Sequence, residues 1–152
     1  MTIHQSDYAK GAKSQPYPLG AGVVVACRMT FTVPTDIAEN DIIEFGSLPS
    51  GCVPVDVIAD SDDLDSGTPA IVWDFGLMSG EPGDTESART CGDEFFDGTT
   101  ISQGGGVART TEKDALRIAA SGSERSVGAK LVTDAATAVE GVLGLTLFYM
   151  AP

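Results

Sequence analysis

Between Val23 and Val33 the larger apolar side chains fall on every second residue. Val23, Val25, Cys27, Met29, Phe31 and Val33 alternate with Val24, Ala26, Arg28, Thr30 and Thr32. Successive side chains of a strand point to opposite faces, so this period of two predicts a strand whose odd positions face a core. Pro34 ends it. Asp41–Gly46 (DIIEFG) predicts a second strand, followed by a turn at Ser47–Gly51. Cys52–Ala59 predicts a third, in which Pro54 has no N–H to give and calls for an edge position or a bulge. Pro69–Met78 is rich in β-formers, and Cys91–Thr100 reads as a helical turn entering a strand at Phe95 and Phe96. Gln103–Gly106 breaks that run, and Gly104–Thr111 reads as a flexible turn. Ala115–Ala120, Val127–Thr133 and Val142–Met150 supply the closing strands, with Asp134–Glu140 as a loop. Seven or eight short strands between Gly- and Pro-rich turns, with no long amphipathic helix, predict an all-β fold. An antiparallel β-sandwich or jelly-roll-like barrel satisfies that pattern.

Residues 1–20 stand apart. They are polar, lack periodicity, and bring Pro16 and Pro18, which favour extended backbone. The chain therefore divides into an extended N-terminal arm, 1–20, and a single β-sandwich domain, 21–152. Two readings of the arm stand side by side: a frayed terminus, or a segment that orders by lying across a neighbour. Tyr8, Lys10, Lys13 and Tyr17 are its candidate partner contacts, two aromatic anchors and two cations on an otherwise acidic chain. If the arm is free, its deletion weakens partner binding without melting the domain.

With 152 residues the chain is long enough for one proper core. Its 22 acidic and 9 basic residues leave a net charge of −13. Such a surface repels phosphate backbones and anionic membranes, which argues against nucleic-acid or membrane partners and suits docking on a basic protein patch. No apolar run is long enough to span a bilayer, and the first twenty residues contain no signal-peptide core. Cys27, Cys52 and Cys91 form no C-x-x-C pair, so they read as three buried thiols in a reducing compartment.

Candidate chemistry is sparse. The single histidine, His4, lies in the arm, where it cannot be held in a nucleophile–base geometry. No G-x-S-x-G elbow, H-E-x-x-H or phosphate-binding loop occurs. Trp73 sits among apolar strand residues and reads as core. Asp60, Asp62, Asp63 and Asp65 cluster ahead of Gly67, but Leu64 and the missing glutamate break the calcium-loop pattern. The loop reads as a capped turn, with cation binding the second reading. No catalytic residue, cofactor or metal ligand is assigned, and the chain reads as no enzyme.

The segment LPSGCVPVDVIADSDDLDSGTPAIVWDFGLMSG, Leu48–Gly80, resembles one found in small structural proteins of tailed bacteriophages. The similarity resumes at VGAKLVT, a DAATA loop, a glycine and a last strand reaching Tyr149. The family is that of head decoration, or cement, and minor virion structural proteins. The resemblance implies a β-rich homo-oligomer, a trimer favoured, bound to the major capsid protein on the capsid exterior and made in the host cytoplasm. It supplies no catalytic residue. A head–tail connector or tail-tube protein is the alternative within the same class. A calcium-dependent ligand- or glycan-binding sandwich, and a paired-carboxylate hydrolase, are the alternatives outside it.

Overall fold

The computed structural model describes all 152 residues, Met1–Pro152. Its nine strands are β1 (Ile3–Gln5), β2 (Val24–Val33), β3 (Ile42–Leu48), β4 (Val53–Ser61), β5 (Val72–Leu77), β6 (Phe96–Thr99), β7 (Gly106–Arg109), β8 (Arg125–Thr133) and β9 (Gly141–Met150). They form two stacked sheets, one ordered β1-β3-β8-β5-β6 and the other β2-β9-β4-β7. Every pairing is antiparallel except that of β1 with β3. The chain is an all-β sandwich, as its alternation predicts.

The alternation also sets what lies between the sheets. β2 and β9 pair without a shift, from Val24 opposite Met150 to Val33 opposite Gly141. Both turn their odd residues inward, burying Cys27, Met29, Leu143, Leu145, Leu147 and Tyr149. The facing sheet contributes Ile43, Phe45, Trp73, Phe75, Val127 and Leu131, all buried. Phe45 stacks on Phe75 at 6.1 Å, and Phe96 meets Phe75 edge-on at 5.5 Å. Each large apolar side chain removed from water is worth roughly 1.5–3 kcal/mol, so this layer rather than the turns holds the fold. Trp73 is core, as expected. Pro54 meets both expectations for a proline in a strand. A bulge separates Pro54 from Asp56, and β7 pairs only with Ile58–Ser61, leaving the Pro54 end of β4 at an edge.

Three expectations change. Ala115–Ala120 is not a strand: Ala115–Arg117 is a 3-10 turn, with Ala115 buried and Leu116 exposed. One small buried residue cannot anchor a strand, and the Arg125 guanidinium instead takes the Ala119 carbonyl at 2.9 Å. Gly104–Thr111, expected to be a flexible turn, contains β7. Gly105 and Gly106, with φ of 75° and 145°, reverse the chain so that Val107–Arg109 lie along β4. The thiols are all free, but only Cys27 and Cys52 are buried, while Cys91 is half-buried. Burial of the sulfur still pushes the Cys91 thiol up to about 12, so it is protonated at neutral pH.

Candidate assembly surfaces

The N-terminal segment is fastened to its own body. Ile3–Gln5 adds a parallel strand beside Ile42–Glu44. Ser6 donates its hydroxyl to the Phe45 carbonyl and accepts from the Tyr8 and Ala9 N–H groups at 3.1 and 3.4 Å, which turns the chain. Farther on, the Gln15 side-chain amide does what a neighbouring strand would do. Its oxygen accepts from the Ser47 N–H at 3.1 Å while its nitrogen donates to the Ser47 carbonyl. The Tyr149 hydroxyl, inside the sandwich, donates to the Pro16 carbonyl.

The four candidate contact residues therefore have different settings. Tyr8 packs half-buried on the core, with the Lys13 ammonium 5.8 Å from its ring centre. Lys13 also pairs with Asp7 at 3.1 Å, both exposed. Lys10 is exposed. Tyr17, 55% exposed, lies at the turn after β3, its hydroxyl donating to the Ser50 carbonyl at 3.0 Å. Leu19 beside it is entirely exposed.

The acidic loop does not gather its carboxylates. Asp60 pairs with the Arg28 guanidinium through both oxygens. Asp62 accepts from the Val142 N–H at 2.8 Å, and Asp63 from the Asp65 N–H at 3.1 Å. Asp65, buried, accepts from the N–H groups of Ala70, Ile71 and Ala136 with one oxygen and of Thr137 with the other. Burial works to raise this carboxyl, but the four backbone donors outweigh it and hold it down at about 2. Asp65 thereby ties the loop before β5 to the loop before β9.

A second buried carboxylate was not singled out by its sequence. Glu44 in β3 takes the Arg89 guanidinium at 3.1 Å, the Ser126 hydroxyl at 2.6 Å, the Gly83 N–H at 3.0 Å and the Gln5 amide at 3.0 Å. Burial opposes its charge, yet these donors keep it below the ordinary carboxylate range. Arg89 also donates to the carbonyls of Ser79 and Asp84. The pair pins the long Ser79–Thr90 loop over the outer face of the first sheet. The available signal was a glutamate within the apolar run IIEF.

The outer face of the second sheet is uncovered. Arg28 with Asp60 and Arg109 with Asp56 neutralise its centre. Val24, Val55 and Val107 are exposed around them.

No protein-family model matches the chain, and no curated protein is matched by its sequence. Solved structures do match. A chain from the capsid of Ralstonia phage GP4 is 45% identical, with a TM-score of 0.95, over 99% of this chain and 98% of that one. A chain of the cyanophage Pam1 capsid asymmetric unit shares the fold at 22% identity and a TM-score of 0.71, covering 92% of each. A chain from the acidic stable capsid structure of Helicobacter pylori bacteriophage KHP30 does so at 14% identity and 0.57, covering 88% of this chain and 92% of that one. At 45% identity over almost the whole length, the chain belongs to the same family of phage capsid proteins as the Ralstonia phage GP4 chain, a family of structural proteins of the virion.

Proposed function

We propose that the chain is a head decoration, or cement, protein: a homo-oligomer, a trimer favoured, that binds the major capsid protein on the capsid exterior and holds neighbouring subunits together. The single observation carrying this reading is the near-complete match to a chain of a phage capsid. The net charge of −13 supports an outer position, because a lining this negative would repel packaged DNA. The many polar groups spent on pinning loops rather than on an open cleft agree with a body that acts through contact.

The arm is the proposed contact for the capsid. Lys10, Lys13, Tyr17 and the bare Leu19 expose cations, an aromatic ring and apolar surface along the segment, while Tyr8 packs on the core. The test uses cognate virus heads assembled without this chain, mixed with purified protein and sedimented. Wild-type protein co-sediments at a fixed copy number, and Lys10→Ala, Lys13→Ala and Tyr17→Ala combined weaken binding by on the order of tenfold. Wild-type protein that stays in the supernatant contradicts decoration. A triple variant that binds as tightly contradicts the arm contact.

A further inference from the structure

A sheet edge is a row of unmet backbone donors and acceptors, and three of the four edges here are blunted. β1 is three residues long, β6 is four with Gly98 in the left-handed region, and β7 is four opened by two glycines. The fourth edge is β2, ten residues long, with no proline and no bulge. Short length, bulges, prolines and charge are the usual guards against strand addition, and β2 has almost none of them. Its one charge, Arg28, is committed to Asp60.

The register shows which groups face outward. Asp62 donates its N–H to the Val142 carbonyl, so the even residues of β9 turn their backbone toward β4. The odd residues, Leu143 to Tyr149, then turn toward β2, where they oppose Phe31, Met29, Cys27 and Val25. The N–H and C=O groups of Val24, Ala26, Arg28, Thr30 and Thr32 are left pointing away from the sheet. All five residues are exposed, and no hydrogen bond from elsewhere in the chain reaches these backbone groups. The N-terminal segment comes near, with His4 tilted against Phe31 at 5.7 Å, but it packs on a side chain and leaves the edge open.

We propose that the free edge of β2 is a strand-addition site that takes an extended, net-basic segment of another shell protein. The inference rests on the decoration reading and names where the partner chain would lie. Strand addition draws affinity from main-chain hydrogen bonds and specificity from alternate side chains. Apart from Arg28, which lies against Asp60, those side chains are small or β-branched, which admits a close neighbour. A second copy of this chain fits poorly. The antiparallel register that overlaps all five residues sets Arg28 opposite its own symmetry equivalent, and it brings together two bodies of charge −13. The same charge attracts a segment rich in lysine or arginine.

The experiment again uses cognate heads assembled without the chain, with full-length wild-type protein and an Ala26→Pro, Thr30→Pro variant. Proline is tolerated where an edge N–H faces solvent, so the variant keeps its fold while losing two outward donors. Its binding to heads falls by on the order of tenfold or more. Amide exchange supplies the independent readout. The five outward amides exchange quickly in the free wild-type protein and slowly on heads, together with a protected basic segment of a head protein. A variant that folds and binds as tightly overturns the proposal. So do amides that exchange as fast on heads as off them, protection in concentrated protein without heads, or a protected segment that is acidic. Wild-type protein that never binds heads instead contradicts the decoration reading beneath it.

Discussion

A carboxylate moved out of water needs donors to replace its hydration, and Asp65 collects four backbone N–H groups from two loops. Its folded carboxyl, at about 2, lies below the ordinary 3.8, so the unfolded chain takes up this proton first. The stability it contributes is complete above about pH 4 and is lost as the pH falls toward 2. Asp65→Ala is expected to lower the Tm by about 10 °C at pH 7, with the gap to wild type closing across that acid window in calorimetry. Arg89 offers a sharper case, because its removal strands Glu44 in a buried site. Arg89→Met is expected to cost about 3 kcal/mol in urea denaturation, and pairing it with Glu44→Leu to recover much of that loss. These roles were only half legible. Clustered aspartates announce a structured loop, but the choice between a cation and backbone N–H groups is made by where the chain brings Ala136 and Thr137. That approach spans about seventy residues of sequence and leaves no local mark.

At the scale of elements, legibility followed the size of the buried side chain. β2, β8 and β9 turn apolar residues to the core at every second position, and that period marks them in the sequence nearly to their ends. β7 points only Ala108 inward, and β1 is three residues long with Ile3 its one apolar side chain, so neither offers a period to see. The run at Ala115 shows the converse: apolar residues with no sheet position to occupy. The arm was expected to be extended and separable, and the structure stitches it down through β1, Ser6, Gln15 and Tyr149. Deleting residues 1–20 is therefore expected to lower the Tm by about 5–10 °C as well as to weaken head binding. An unchanged Tm in differential scanning fluorimetry would show that these contacts contribute nothing to the fold.

For the whole molecule, the sandwich was legible because inward alternation in many short strands has few other solutions. The resemblance of Leu48–Gly80 and the closing strand to phage structural proteins agrees with the family found through solved structures. Of the two features proposed to receive a partner, the arm stands out in the sequence but not whether it is free or docked, and a backbone edge has no sequence signature. The net charge acts at this scale too. If a basic surface receives the chain, head binding weakens as salt rises from 50 to 500 mM, and titrations at several ionic strengths read that slope. The central claim is that this body coats the outside of a shell. Cryo-electron microscopy of the intact cognate virus tests it most directly: the account predicts clusters of this sandwich in a regular array on the outer face of the head, each touching the major capsid protein. Density for the chain in the continuous shell floor, inside the head, or only in the tail would contradict it.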